Sequence, residues 1–591
     1  MIRSSQILNK SFLFIVGILF QTYATAQVFV AANTNVLVSN EVIYVKQDLQ
    51  LSVESSNFYL RNQGQLLQGT SVQGANKGLG SLSVFQEGTV NNYQYNYWCS
   101  PVGNAVSSTT GNNPFGITQL GVPITETTTI PAIILSPAAY DGTADPFAIA
   151  PYWINKLTTN GASYSDWVRV GSSAIINAGE GFTMKGTSGI NSTIVDGIQN
   201  NPGSAQRYDF RGKPNDGTIN IPVLNGEWTL TGNPYPSAID LQAFLNGETN
   251  CDGSAYFWEQ DKTINSHYIA DYRGGYGTYS GADIYTPAIF YSYDGSGNQI
   301  SVITSPNNRY QKKYSPIGQG FMITGHADGN VQMKNSYRVY VKEGVDNLSQ
   351  FNKIASKKTT SQNTGASQIR FNTLLDNGPI SQMVLAFNPL ATDGVDRAMD
   401  AASPNDGPAN NYFVINDNEF VINVMPIDID KKIAIGFRNS AEANYKISVN
   451  EMLNIPEVSN VYIHDISANL YYDIKNSIFD ITLPAGTNNN SQYEITFKNG
   501  TLGVDNLAVQ SGFIVRQDNV IKKLIISNPL QKELDSCSLY DVVGKMIFTK
   551  SKLGTDSSYT FSTSNLREGI YIVKLTTTDK SEVGTKIIVK N

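Results

Sequence analysis

Few residues in this chain carry the chemistry of a reaction centre. There are 3 histidines and 3 cysteines in 591 residues. His267, His326 and His464 lie far apart in sequence, and His464 sits in the strand-like run Val461-Tyr-Ile-His-Asp465. A multi-histidine metal centre needs at least two of them to converge, so the sequence argues against one. Neither a Gly-x-Ser-x-Gly elbow nor a His-Glu-x-x-His helix is present. A glycosidase needs only two carboxylates about 5–10 Å apart, and no acidic pair stands out from the loop acids. Asp393, Asp396 and Asp400 share the polar stretch Ala391–Asp400. Their short spacing could suit calcium in an exported protein, but the EF-hand pattern is not met and a solvated loop is the favoured reading. The strongest ligand-binding segment is Tyr268 to Tyr279, with Asp271, Tyr272, Arg273 and Tyr276 inside it and three glycines between. Tyrosines on a glycine-rich loop stack on sugar rings, while Asp271 and Arg273 hydrogen-bond hydroxyls; the other reading is a loop whose tyrosines pack over a neighbouring core. Gly179-x-Gly181-Phe182 and Gly318-x-Gly320-Phe321 lack both the Lys-Ser/Thr of a phosphate loop and the third glycine of a dinucleotide fingerprint.

The elements that would position these residues are strands. Charged residues make up 15% and hydrophobic ones 41%, with 50 Gly and 32 Tyr. That mixture excludes a disordered acidic chain and fits many short strands joined by tight turns. The expected fold class is all-β throughout: an N-terminal β-solenoid or small sheet, repeated β domains, a jelly-roll or sandwich, and a C-terminal Ig-like sandwich.

Residues 27–92 alternate apolar and polar positions with Gly- or Asn-marked turns, which reads as stacked solenoid coils or one sheet. The inward set expected is Val36, Val38, Val42, Tyr44, Leu49, Leu51, Val53, Phe58, Leu60, Leu66 and Leu67. An open edge of such a stack templates further pairing, so a neighbouring domain should cover it. Residues 93–226 and 227–345 read as two copies of a degenerate repeat. Tyr97-Trp98-Cys99-Ser100-Pro101-Val102-Gly103-Asn104 opens the first copy, and Trp228 to Gly232-Asn233-Pro234-Tyr235-Pro236 opens the second. The Gly-x-Gly-Phe elements close them. The Gly-Asn elements lie 129 positions apart and the closing elements 139 apart, a difference one loop insertion explains. Residues 346–502 predict a sandwich of eight strands, Ser381–Phe387, Asn411–Ile415, Glu419–Val424, Lys432–Phe437, Tyr445–Val449, Val461–Asp465, Ile478–Leu483 and Tyr493–Phe497.

The two ends read as delivery signals. Residues 1–26 combine basic Arg3 and Lys10, an apolar run Ser11–Phe20 and Ala24-Thr25-Ala26 ahead of Gln27, the three parts of a secretory signal peptide. Export makes one disulfide possible; Cys99–Cys251 is the plausible pair because Cys537 falls in another domain, and three buried thiols is an alternative at least as good. The overall charge of -7 conceals a division: residues 507–591 hold twelve basic and eight acidic side chains, and residues 1–26 two basic ones. Of the 42 basic and 49 acidic residues, residues 27–506 therefore keep 28 and 41. An acidic body with a basic tail marks a boundary near Gly503–Gly512 and speaks against a nucleic-acid partner.

Within the tail, Lys523-Leu-Ile-Ile-Ser-Asn528-Pro529, Asp541-Val-Val-Gly544-Lys545, Leu566-Arg-Glu-Gly569-Ile-Tyr571 and Lys586-Ile-Ile-Val-Lys590 occur in order. This set resembles the type A C-terminal sorting domain of cargo exported by the type IX secretion system of Bacteroidetes. The connection Lys552–Thr560 is longer than that pattern and is read as loop variation. The resemblance implies the type IX machinery as partner, delivery through the periplasm to the outer surface or the medium, and removal of the tail with release or attachment to surface lipopolysaccharide. The body resembles large secreted surface proteins of the same bacteria through Gly-Asn-Pro-Tyr-Pro and Gly-Gln-Gly-Phe, a likeness that brings no chemistry with it. The function expected is a non-enzymatic exported β protein for adhesion, glycan contact or surface structure. A secreted polysaccharide- or protein-degrading hydrolase is the alternative. No cofactor is expected, calcium apart.

Overall fold

A computed structural model describes residues 27–69, 74–105, 110–157, 166–171, 175–304, 312–344, 349–351, 366–376, 378, 380–499 and 513–590. The signal peptide at 1–26, the boundary near 503–512 and the first residues of the tail lie outside the described residues. The chain divides into two compact units, one holding most of residues 1–497 and the other 498–591 together with 468–471. Strands dominate both, and the one α-helix among the described residues, Leu241–Gly247, is seven residues long.

The first unit begins with a β-solenoid. Val28–Val30 pairs in parallel with Leu49–Leu51, Asn35–Ser39 with Asn57–Arg61, and Val42–Val45 with Gln65–Gln68. Asn57–Arg61 in turn pairs in parallel with Ser81–Glu87. The same three ladders recur as the chain winds, and Val38, Leu49, Leu51, Phe58, Leu60 and Leu66 fill the interior as expected. One strand is phased differently. Val45 is buried and Ile43 half-buried, whereas Val42 and Tyr44 face outward. Val53 also faces outward. Side-chain direction has a period of two, so a one-residue shift in phase exchanges the faces of a whole strand. The later edge of the stack is covered: Arg207–Pro214 pairs antiparallel with Ser81–Glu87. Its core continues without a break into the next block, where Trp98, Phe115, Phe182 and Phe210 join it.

In each of the two stretches the opening and closing elements pair as antiparallel strands. Tyr95–Cys99 pairs antiparallel with Gly181–Lys185, and Trp228–Gly232 pairs antiparallel with Gly320–Thr324. Cys99 stands opposite Gly181, and Gly232 opposite Gly320. Gly103, set against Gly232 by the sequence, pairs with Lys213 on Arg207–Pro214. The pairs press on each other through glycines. A Cβ on Gly320 would meet the Trp98 nitrogen and Tyr97 carbonyl carbon at 2.7 Å, and one on Gly181 would meet the Thr231 oxygen at 2.7 Å. Main chain cannot move away as a side chain can, so these positions admit only hydrogen.

The second block adds Ser254–Gln260, Arg273–Ser280, Phe290–Tyr293 and Gln299–Thr304 to its sheet. Its helix was not expected. Asp240 caps it by accepting from the Ala243 nitrogen at 2.9 Å, and Leu241, Phe244 and Leu245 lie inward. The sandwich region is one eleven-stranded sheet wrapped around a core that includes Ile369, Phe371, Phe413, Phe437 and Ile495. All eight expected strands appear, and Ser367–Leu375 adds another, paired with Ile380–Phe387.

In the second unit, Ile514–Asp518, Lys523–Ser527 and Ser558–Ser562 form one sheet. Leu534–Asp541, Met546–Gly554, Gly569–Thr577 and Glu582–Val589 form the other. Leu524, Ile526, Leu539, Tyr571, Val573 and Leu575 close the core of an Ig-like sandwich. Fully buried Asn528 ties its turn by accepting from the Lys532 nitrogen and donating to the oxygens of Lys532 and Asp556. Asp541 accepts from the nitrogens of Val543 and Lys545, and Gly544 has φ +82°, which makes the Asp-x-x-Gly-Lys hairpin a turn-building motif. Residues 552–560 are not a long loop. The strands Met546–Gly554 and Ser558–Ser562 take up most of the stretch.

Candidate functional site

Strand alternation divides Tyr95–Cys99 and Gly181–Lys185 into two faces. Trp98, Phe182 and Met184 point into the solenoid-side core, while Tyr95, Tyr97, Thr183 and Lys185 occupy the other face. In the second block, Trp258 stands opposite Tyr276 and Leu230 opposite Met322. These faces meet at a cleft of about 480 Å³, lined by Tyr95, Tyr97, Trp167, Trp228, Trp258, Tyr272, Tyr276 and Tyr293. Asn155, Gln299, Asn405 and Asp406 supply polar edges, the last two from the sandwich region. Trp167, Trp228 and Trp258 are each half-buried, so a face or edge of each ring remains open.

The rings hold one another in place. Trp258 lies 5.2 Å from Tyr276, and Trp228 lies 5.3 Å from Tyr276 and 4.7 Å from Tyr256. The Tyr97 and Tyr276 hydroxyls are 2.9 Å apart. Burial pushes the Tyr276 phenol up to about 12 and also raises Tyr97 well above the ordinary tyrosine value, so both stay protonated at neutral pH. The Gln260 Nε2 is buried without a hydrogen-bond partner, while its Oε1 accepts from the Trp258 indole at 3.4 Å.

A polar chain runs behind one wall. Lys185 Nζ lies 2.6 Å from the Tyr272 hydroxyl and 3.1 Å from His267 Nδ1, and 3.6 Å over the Trp153 ring. His267 Nε2 reaches Asp141 at 2.9 Å, and Asn92 donates to the same carboxylate. Burial lowers the Lys185 amine to about 7, opposed in part by Asp141. Burial is also the main force lowering His267, again opposed by Asp141. The aromatic faces around the Lys185 amine favour its charged form against that burial.

The expected binding segment is divided by this geometry. Tyr272 and Tyr276 line the aromatic cleft. Asp271, Tyr272 and Arg273 line an adjoining cavity of about 360 Å³. Tyr268 is 77% exposed and lines neither cavity. Tyr279 is buried in the core behind the sheet, with its hydroxyl on Asp283 at 3.0 Å. The glycine-rich loop is in fact the strand Arg273–Ser280, whose period of two sends Tyr276 and Tyr279 to opposite faces. Its glycines answer close approach: a Cβ on Gly274 would meet the Glu259 oxygen at 2.6 Å. Sequence reasoning did not single out Tyr95, Tyr97, Lys185 or Tyr293 for the site. Of the tryptophans in the cleft, it named only Trp228, as a repeat landmark. The readable signal was the alternation Tyr95-x-Tyr97 and Thr183-x-Lys185 on paired strands.

The three loop carboxylates do not assemble. Asp393 pairs with Lys431, and Asp396 accepts from the Thr392 nitrogen at 2.5 Å. Asp400 accepts from the Asp396 nitrogen at 2.6 Å and the Val424 nitrogen at 2.7 Å. Among the described residues no group of three His, Cys, Asp or Glu is placed to hold a metal ion. The loop is a clamp. Arg397 donates to the oxygens of Leu245 at 2.9 Å and Asn246 at 2.7 Å, at the carboxyl end of the short helix. Asp400→Asn keeps the shape but sets an amide against one of two buried N–H groups, so a loss of about 1–2 kcal/mol in urea unfolding is expected. Added calcium should leave the wild-type transition where it is. Cys99, Cys251 and Cys537 are all buried free thiols, so the Cys99–Cys251 bridge is absent. Cys99 sits on a core strand at the first glycine crossing, whereas Cys251 bridges to Gly325 and donates to the Glu248 oxygen.

Fold and tail together define an exported all-β protein with a C-terminal sorting domain: the model for the secretion system C-terminal sorting domain matches residues 519–590. The body is matched over residues 144–497 by the family described as Domain of unknown function (DUF8693), and the chain belongs to that family. The tail directs export to the cell surface or the medium and engages the type IX secretion machinery. No helix among the described residues is long and apolar enough to cross a membrane. No curated protein matches the chain. Similar solved structures include a DUF3244-family protein with an immunoglobulin-like β-sandwich fold from Bacteroides vulgatus, 15% identical over 13% of this chain and 85% of that one, with a TM-score of 0.12. PorZ, a surface component of the type-IX secretion system of Porphyromonas gingivalis, is 14% identical over 29% of this chain and 23% of its own, with a TM-score of 0.12. A polysaccharide lyase is 9% identical over 38% of this chain and 40% of its own, with a TM-score of 0.14. The chain thus spans well under half of PorZ and of the lyase, and TM-scores this low carry no argument about a shared site.

Proposed function

We propose that this protein is a non-enzymatic, exported surface or secreted β protein that binds glycan in its aromatic cleft, as an adhesin or a glycan-contacting surface component. One observation carries the reading: three half-buried tryptophans and several tyrosines form one wall-to-wall lining, edged by amide and carboxylate groups. Sugar C–H faces stack on such rings, and their hydroxyls need neighbouring polar groups. The chain has 5 tryptophans, and three line the cleft, so binding reports itself in tryptophan fluorescence. Trp258→Ala is expected to weaken binding about tenfold, the loss of roughly one stacked ring. A glycan array that stays blank for the mature body, with no fluorescence change on titration, would sink the proposal. Attachment to surface lipopolysaccharide after loss of the tail belongs to the same reading.

A second reading, a secreted polysaccharide-degrading enzyme, draws on the Lys185–Tyr272 contact at the cleft wall. A phenol 2.6 Å from an amine whose charge burial disfavours is the kind of hydrogen-bonded pair through which a proton can pass. Turnover of a polysaccharide panel that Tyr272→Phe abolishes would favour it over simple binding.

A further inference from the structure

Resting on the glycan reading, we infer that the aromatic cleft and the cavity beside it form one extended groove for a neutral oligosaccharide, in which Asp271 and Arg273 hold the hydroxyls of the unit beyond Tyr272.

Tyr272 lines both cavities, so a chain lying on the aromatic rings continues past it into the second space. The two spaces differ in chemistry. The first is aromatic, at about 480 Å³; the second, about 360 Å³, is edged by Thr263, Ser266, Asp271 and Arg273. An aromatic floor recognises the C–H face of a sugar and tolerates many sugars, whereas a paired acceptor and donor select the orientation of hydroxyls. Asp271 presents a carboxylate that already accepts from the Ser266 hydroxyl at 2.6 Å, which fixes its rotamer and leaves acceptor capacity. Arg273 follows two residues later at the start of its strand, with its side chain exposed and five N–H donors on the guanidinium. Tyr272 cannot swing out of line, because its hydroxyl is tied to Lys185.

Charge decides the class of glycan. Asp271 and Asp406 edge the groove with two carboxylates against the single guanidinium of Arg273. The Lys185 amine is buried behind Tyr272 and spent on its hydroxyl and on His267. The groove therefore offers no excess positive charge to uronate or sulfate groups, and it lies in an acidic body.

The test is a tryptophan-fluorescence titration of the full mature chain with neutral hexose oligosaccharides of increasing length and with oligogalacturonates of matched length. Affinity should rise with length until the second cavity fills, and oligogalacturonates should bind more weakly than neutral chains. Asp271→Asn and Arg273→Gln should each weaken the longest neutral ligand about tenfold while leaving the shortest unchanged. Both positions are exposed, so the melting temperature should hold. Preference for oligogalacturonates, or equal affinity at every length with both variants silent, overturns the extended groove but leaves the cleft reading standing. Absence of any quench by any sugar, with Trp258→Ala also inert, overturns the cleft reading itself.

Discussion

Deletion of residues 507–591 is expected to leave the body in the periplasm, with the surface and medium emptied of it. The described tail, 513–590, is a self-contained sandwich with its own two sheets and core. Its family motifs are turn and core devices: Asn528 closes one turn with three hydrogen bonds, Asp541 and Gly544 build another, and Tyr571 buries its ring while its hydroxyl donates to the Arg567 oxygen. The motifs therefore hold the module's own fold together. Asn528→Ala, which strands a buried turn, should reproduce much of the deletion by unfolding the module alone. Fractionation of cells carrying the truncated chain measures the effect. Normal surface delivery without the tail would remove the sorting assignment.

Arg338→Ala is expected to cost the body about 3–5 kcal/mol, a large share of the roughly 5–15 kcal/mol that holds a typical domain. Arg338 and Asp216 both have fully buried side chains, 3.5 Å apart. The guanidinium also donates to the Ser237 hydroxyl at 3.2 Å, to the Asn335 side chain at 3.2 Å and to the Leu66 carbonyl, and lies 4.9 Å over the Tyr235 ring. One side chain therefore ties the solenoid, through Leu66, to the turn Gly-Asn-Pro-Tyr-Pro. Burial lowers the group only to about 10, so it remains charged at neutral pH. Removing it leaves the Asp216 carboxylate buried and short of one partner, which is where most of the cost arises. Arg338→Met combined with Asp216→Asn should recover part of the loss, because no charge is then stranded. Urea unfolding of the wild type and the two variants decides the matter; an Arg338→Ala midpoint within error of wild type would show the pair to be dispensable.

Much of the fold was legible because strand alternation is a local property. Lys432–Phe437 and Tyr571-x-Val573-x-Leu575 each declare an inward face through a period of two, and the structure follows them. Phase was harder where both faces carry apolar side chains. In Val42-Ile43-Tyr44-Val45 every residue suits a core, and only the parallel partner Gln65–Gln68 selects which pair enters it. The helix Leu241–Gly247 was missed because seven residues give barely two turns of periodicity, although Asp240 at its cap was a visible start signal.

The candidate site was legible only in pieces. Tyr272 and Tyr276 stood out through their spacing, but so did Tyr279, and a strand rather than a loop sends the last of these into the core. Tyr95 and Tyr97 lie far from Trp258 in sequence, and nothing local announces that their strands share a face.

The sequence by itself determined the all-β class, the acidic body with its basic tail, the sorting motifs and the scarcity of metal ligands. Each of these resides in composition or in short-range pattern, and needs no partner to be read. Tertiary structure alone decided that Lys185 stands against Tyr272, that Arg397 rather than the aspartates gives its loop a role, and that three tryptophans face one cleft. Those facts depend on which strands pair and in what register, and a register is chosen by the summed burial of residues hundreds of positions apart.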